Sequence, residues 1–143
     1  MKKLQKMLNL TANEWKWVLY DIGNSAFILL ATAIVPIYFH ALTDDAGLSE
    51  AQYVTNWGYA TSVATLIVFF LAPICGALAD HNGFKKPMFS LCVLLGAVGC
   101  AALGAAWSWL SFLIVFIVAK VGFNASLVFY DAMLPEITTE ERM

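Results

Sequence analysis

Charged residues are scarce in this chain. Asp, Glu, Lys and Arg make up 13% of its 143 residues, whereas soluble domains contain about 25%. Apolar residues make up 61%, and the mean hydropathy is +0.74. These values exclude an ordinary soluble domain and predict an integral membrane protein that contacts the lipid bilayer. The few basic residues form no basic face, so nucleic acid is not an expected partner.

Cysteine is also rare, and the chain lacks the usual catalytic combinations. Cys75, Cys92 and Cys100 all lie inside apolar runs, which favours buried, inert thiols over a disulfide scaffold. No Ser–His pair, carboxylate pair or metal-ligand set falls at membrane depth. We therefore expect no enzymatic activity, no catalytic residues, no cofactor and no metal site.

Four long apolar stretches make up most of the sequence, and each is typical of a membrane-spanning helix of about 20 residues. Their approximate ranges are 15–39, 52–78, 87–106 and 109–134. Capping boxes at Thr11–Glu14 and Ser49–Gln52 predict the starts of the first two helices. Gly96, Cys100 and Gly104 recur every four residues and predict a close helix contact on the third span. The predicted fold class is all-α and transmembrane.

The distribution of basic residues predicts the orientation of the chain. Apart from Lys120, they all fall on one side of the four spans, at Lys2, Lys3, Lys6, Lys16, Lys85, Lys86 and Arg142. The two loops on the opposite side contain no Lys or Arg. Because basic loops remain inside, both termini are predicted to be cytoplasmic, in a multi-pass protein of the cell (inner) membrane.

The segment that joins the second and third spans has a distinctive composition. It has the spacing G-x-L-A-D-x-x-G-x-K between two apolar runs. Gly76 is expected to let helices approach closely, and Asp80 to place a carboxylate at the membrane face. Gly83 is expected to permit a left-handed turn, while Lys85 and Lys86 keep the loop in the cytoplasm. An ordinary short basic loop is the alternative interpretation.

The fourth span carries a charge close to mid-depth, at Lys120. A Lys at the centre of a membrane helix costs about 2.5–3.5 kcal/mol on insertion scales. Asn124 and Asp131 follow four and eleven residues later, positions that share a helix face with Lys120. We predict that this face lines a substrate or ion pathway. The alternative is that Lys120 pairs with a buried carboxylate in a purely structural role.

The first span carries a weaker set of polar residues. Asp21 and Asn24 lie towards its cytoplasmic end, with Thr32 on the same face. They are candidates for the same pathway. Asp21 is equally compatible with an interfacial carboxylate that reaches the water of the lipid headgroups.

Three stretches resemble motifs of the major facilitator superfamily of transporters, and they follow one another along the chain in the order expected for that superfamily. The loop Gly76–Lys86 resembles the superfamily loop between helices two and three. Tyr20–Phe27 and Phe129–Glu136 resemble the Y-D-x-x-N-S-A-[YF] and F-Y-[ND]-A-x-L-P-x motifs of its vacuole-effluxer-like branch. His81 stands where the superfamily loop usually has Arg, and Phe84 occupies another usually basic position, so the loop motif is a weakened one.

The resemblance implies a twelve-helix secondary transporter that works by alternating access, of which this chain would be helices one to four. Helices one and four would line the central path, and Asp80 would latch onto the second half. The branch is linked to efflux of small solutes, which are amino acids in its fungal members. The implied partners are the solute and the remaining C-terminal helices. We expect the chain to be an N-terminal fragment that is inactive in transport by itself.

Two other functions are compatible with four spans. One is a self-contained exporter that works as a dimer, like the small multidrug transporters, in which Asp21 would serve as the essential membrane carboxylate. The other is an assembly protein that spans the membrane four times and transports nothing.

Overall fold

A computed structural model describes residues 12–81 and 83–137, and the described residues form helices joined by short turns. Helix α1 has two α-helical segments, Ala12–Leu29 and Val35–Asp45, on either side of a π-helical turn, Leu30–Ile34. The other helices are α2 (Glu50–Ala79), α3 (Lys85–Leu103) and α4 (Trp109–Ile137). All four are long and apolar enough to cross a membrane. The predicted all-α fold with four spans is confirmed.

The helices belong to two compact units. Residues 38–133 form one of them, and the described parts of residues 1–37 and 134–143 form the other. The boundary falls within α1 after Ile37, one residue beyond Pro36. Next to this proline lies the π-helical turn, in which the Val35 N–H donates to the Leu30 carbonyl, five residues earlier. Proline lacks an N–H and crowds the preceding turn, and a widened turn accommodates it.

The connection between α1 and α2 consists of two capping motifs in succession. The Leu48 N–H donates to the Thr43 carbonyl at 3.0 Å, and the Gly47 N–H donates to the backbone carbonyl of Asp44 at 2.9 Å. With Gly47 at a φ of 71°, these bonds form a Schellman motif that ends α1. Ser49 then caps α2 in a reciprocal capping box with Gln52. The capping box predicted at Ser49–Gln52 is confirmed, whereas the one predicted at Thr11 begins outside the described residues.

Within residues 38–133, α3 and α4 approach each other through small residues. A Cβ placed on Gly99 would lie 2.8 Å from the Cβ of Ala119, and one on Gly122 would lie 3.0 Å from the Gly96 nitrogen. Only glycine fits at such distances. The contact face that the sequence predicted here is confirmed at Gly96, which is buried against Gly122, but it does not extend to Gly104. Gly99 lies in the interface, while Gly104 lies beyond the end of α3 and is exposed.

Aromatic packing joins the C-terminal segment of α1 to α2 and α4. The ring of Phe39 is fully buried, and its centroid lies 5.6 Å from those of Tyr53 and Trp57 and 5.8 Å from that of Phe112. Trp57 in turn contacts Phe116 at 4.6 Å. A second cluster, which includes Cys75, Ala79, Ala125 and Phe129, packs α2 against α4 at the other end. These two clusters hold the three helices in register.

Candidate functional site

Backbone hydrogen bonds stabilise the short turn between α2 and α3. Asp80 follows the last residue of α2, and its N–H donates to the Gly76 carbonyl at 3.1 Å. Gly83 has a φ of 89°, the left-handed conformation that the sequence predicted for it. Asp80 and Lys86 are exposed, so both charges are available at the surface. The turn presents a carboxylate and a basic group directly beside the helix ends.

Lys85 connects this loop to the end of α4. Its Nζ donates to the carbonyl oxygen of Ala132 at 3.4 Å. Ala132 directly follows Asp131, which is exposed at the surface of α4. The structure therefore brings two sequence-predicted residues, Lys85 and Asp131, to the same end of the bundle.

Gly76 has open space beside it within the described part of the chain. Among the described residues, no heavy atom lies within 4 Å of the position that a Cβ on Gly76 would occupy. Within the described part of the chain, α3 and α4 meet through Gly96, Gly99 and Gly122. A close helix approach at Gly76 stays a prediction.

The polar residues of α4 are half-buried in an otherwise apolar helix. The Lys120 ammonium lies 5.8 Å from the centroid of the Phe116 ring, within range of a cation–π interaction. The Asn124 amide donates to the Lys120 carbonyl at 2.7 Å. Within residues 38–81 and 83–133, no carboxylate lies at ion-pairing distance from Lys120. The structural alternative, a lysine paired with a buried carboxylate, finds no support within that unit.

The polar residues of α1 differ from one another in exposure. Asp21 is exposed, whereas the Oδ1 atom of Asn24 is buried and has no hydrogen-bond partner among the described residues. Thr32 lies in the π-helical turn, and its hydroxyl donates to the Ile28 carbonyl at 2.7 Å. An unsatisfied buried acceptor costs about 1–3 kcal/mol. Such an atom is therefore suited to a water molecule, a solute or a further protein group.

Sequence reasoning missed two features. One is the π-helical turn, for which Pro36 was the available signal because proline disturbs the turn that precedes it. Such π-turns are often found at functional sites. The other is a cluster of His40, Asp44 and Glu50 at the α1–α2 turn, where both ring nitrogens of His40 lie close to carboxylates. Its signal was the spacing of His40 and Asp44, four residues apart on one helix.

These features define the class of the protein. Within the described residues, four apolar helices are long enough to cross a membrane, and large side chains such as Phe69 and Phe70 are exposed on their surfaces. Half-buried polar groups interrupt the apolar surface at Lys120 and Asn124. The protein is a multi-pass membrane protein with half-buried polar groups in one of its apolar helices.

Comparison with known proteins identifies the family. Residues 50–143 match the family model described as "Vacuole effluxer Atg22 like", and the chain belongs to this family of major facilitator transporters. The proposed resemblance and the assignment to the major facilitator fold are thereby confirmed.

Two curated relatives are also similar to the chain. It is 39% identical over 140 residues, 96% of its length, to the uncharacterized MFS-type transporter YxiO of Bacillus subtilis. It is 28% identical over 89 residues, 61% of its length, to the MFS thioclapurine efflux transporter tcpA of Claviceps purpurea. The chain spans 33% of the first relative and 15% of the second. No solved structure matches it significantly.

Proposed function

We propose that this chain provides the first four helices of the N-terminal half of a secondary transporter that exports small solutes, with amino acids as the substrate class. Alternating access moves one half of such a transporter against the other around a site near the middle of the membrane. The proposal extends the family membership of the chain to a specific activity. Its main support is the environment of Lys120.

Lys120 is the central residue of the proposed pathway. Its ammonium group is half-buried in a membrane helix and lacks a carboxylate partner within its own compact unit. A charge at membrane depth is costly, and such residues usually face a cavity or a partner. A solute carboxylate is the natural counterion for it, because a charge-assisted hydrogen bond is about twice as strong as a neutral one.

Two further groups are proposed to complete the pathway. The Oδ1 atom of Asn24 is buried and unsatisfied, so it can accept a hydrogen bond from a water molecule or a solute amine. Asn124 already uses its amide on the backbone of its own helix, which leaves its side-chain oxygen to accept from a solute. Asp21 and Asp131 are exposed, and we assign them to the cytoplasmic entrance of the pathway.

The loop between α2 and α3 is proposed to act as a gate. Lys85 anchors it to the end of α4 through the Ala132 carbonyl, while Asp80 projects from the end of α2. A helix N-terminus in the second half of the transporter is a suitable partner for this carboxylate, because it carries partial positive charge. Gly76, which has open space beside it, would let such a helix approach.

We further propose that both termini lie in the cytoplasm and that the protein resides in the cell membrane. The basic residues of the α2–α3 loop support this orientation. The relatives are much longer than this chain, and four helices provide only part of two moving halves. The chain by itself is therefore expected to be inactive in transport.

The proposal can be tested by reconstituting two proteins in liposomes. One is the 143-residue chain, and the other is the complete product of the gene that encodes it. We expect saturable efflux of loaded amino acids from liposomes that contain the complete product, and only background leakage from those that contain the chain. Saturable efflux by the chain alone would contradict the proposal that the chain by itself is inactive. No efflux of any amino acid by the complete product would contradict the proposed substrate class.

A further inference from the structure

We propose that His40, Asp44 and Glu50 form a binding site for a divalent transition-metal ion, of which zinc is the representative, at the turn between α1 and α2. The three residues lie within one compact unit. They are remote in sequence from Lys120 and from the α2–α3 loop, and the inference does not depend on a transport function.

The donor atoms of these residues already lie close together. The His40 Nε2 is 2.8 Å from Oε1 of Glu50, and its Nδ1 is 3.2 Å from Oδ2 of Asp44. One potential ligand atom from each residue lies within 4.8 Å of the other two. Zinc bonds of about 2.0–2.2 Å place two ligands at most about 4.4 Å apart. Asp44 and Glu50 contact different nitrogens of the His40 ring. Since one ion takes the ring through a single nitrogen, the ring and one carboxylate must turn before all three residues present donors to the same ion.

The backbone of the site is preorganised by its two capping motifs. The Schellman motif at Gly47 fixes the end of α1, and the capping box of Ser49 and Gln52 fixes the start of α2. His40 and Asp44 lie one turn apart on α1, the spacing with which a helix presents two ligands to one metal ion. Glu50 is the first residue of α2 and supplies the third ligand from the opposite helix.

The surroundings of His40 orient its ring. The edge of that ring packs against Tyr53 with the centroids 4.6 Å apart and an interplanar angle of 78°. The side chains of Asp44 and Glu50 are 60% and 74% exposed, so an ion can enter from the solvent and water can complete its coordination. These features fit an accessible site with an open coordination position.

The donor set indicates which ions the site prefers. An imidazole nitrogen together with carboxylate oxygens suits zinc, copper or nickel. Calcium and magnesium prefer shells made entirely of oxygen. We therefore expect zinc to bind the site and calcium and magnesium to leave it unoccupied.

The experiment is a calorimetric titration of zinc into the complete gene product in detergent, with calcium and magnesium as comparison ions. The test variants are His40→Ala, Asp44→Asn and Glu50→Gln, the last two of which preserve side-chain size. The matched control is His81→Ala, since His81 is the other histidine of the chain and lies exposed in the α2–α3 loop. Helicity and elution volume of each variant show whether it is folded.

Each test variant is expected to weaken zinc binding by at least about tenfold, because even residues that only support a metal ligand contribute about 10–100-fold to affinity. His81→Ala is expected to bind zinc like the unaltered protein. Unchanged zinc binding in the three test variants, or a loss confined to His40→Ala, overturns the three-ligand site. So does calcium or magnesium binding with the same affinity as zinc.

X-ray absorption of the zinc-loaded, unaltered protein provides a test that does not depend on variants that fold. We expect a first shell of nitrogen and oxygen at about 2.0–2.2 Å. Sulfur at about 2.3 Å would instead assign the bound zinc to the cysteines and overturn the proposal.

Discussion

The side-chain amide of Asn124 donates a 2.7 Å hydrogen bond to the backbone carbonyl of Lys120, one helical turn earlier. This bond uses the donor of Asn124 within its own helix. The ammonium group of Lys120 lies above the ring of Phe116, at 5.8 Å from its centroid. The pair therefore offers one amide oxygen and one cation, and within residues 38–81 and 83–133 no carboxylate neutralises that cation. The proposed pathway is built on this pair.

Gly99→Ala is expected to destabilise the protein by about 1–3 kcal/mol, since overpacking of a close contact has costs of this size. The added Cβ would lie 2.8 Å from the Cβ of Ala119. The measurement is the free energy of unfolding in mixed detergent micelles. Gly58→Ala is the matched control, because no heavy atom lies within 4 Å of a Cβ at that helical position. Equal stability of the two variants would show that α3 and α4 do not meet at Gly99.

Gly83→Ala is expected to destabilise the α2–α3 turn by about 1–2 kcal/mol, the cost of a left-handed conformation for a residue with a Cβ. The cause is the backbone and not crowding, since φ at Gly83 is 89° and nothing lies within 4 Å of an added Cβ. Gly83→Asn should be less destabilising than Gly83→Ala, because Asn tolerates this conformation better. The order of the two melting temperatures checks the prediction, and the reverse order would refute it.

Ser49→Ala is expected to reduce stability by about 1 kcal/mol through loss of the cap of α2. The Ser49 hydroxyl accepts from the Gln52 N–H at 3.4 Å, and the Ser49 N–H donates to the Gln52 side chain at 2.9 Å. Ser49→Asp should retain most of the stability, because Asp is also a favourable N-cap residue. Chemical unfolding of both variants measures the effect, and equal losses in the two would argue against a capping role.

The orientation of the chain can be measured by labelling single cysteines with a membrane-impermeant reagent in intact cells. A variant without the three native cysteines carries either Asp45→Cys, at the end of α1, or His81→Cys, in the α2–α3 loop. Because basic loops remain inside, the Asp45→Cys protein should react in intact cells, and the His81→Cys protein should react only after the membrane is permeabilised. The opposite pattern would place both termini outside the cytoplasm.

Much of the architecture could be predicted because it depends on local chemistry. Long apolar runs are sufficient to predict four helices, and the pattern of Ser49 and Gln52 is sufficient to predict a capping box. The left-handed backbone of Gly83 follows from the need for a sharp turn between two helices. Each of these features depends on residues that are close together in sequence.

Features that depend on packing were not predictable in the same way. Residues three and four positions apart share a helix face, so the choice of Gly99 over Gly104 as a contact depends on how α3 crosses α4. The π-helical turn before Pro36 leaves the hydropathy pattern unchanged. The cluster of His40 and Glu50 arises because two capping motifs fold the chain back between them. Of the proposed pathway, helical spacing could predict that Lys120, Asn124 and Asp131 share one face, but not the hydrogen bond between the Asn124 amide and the Lys120 carbonyl.

The most direct test of the account is amino-acid efflux by the complete gene product with Lys120→Ala, Lys120→Arg and the control Lys16→Ala, each reconstituted at equal density. Loss of a hydrogen bond to a charged group costs about 1.5–3 kcal/mol, and about 1.4 kcal/mol corresponds to a factor of ten in rate. We therefore predict that Lys120→Ala lowers efflux at least about tenfold, that Lys120→Arg retains more activity, and that Lys16→Ala transports normally. Normal efflux by well-expressed Lys120→Ala would contradict the central claim that Lys120 lines the solute pathway.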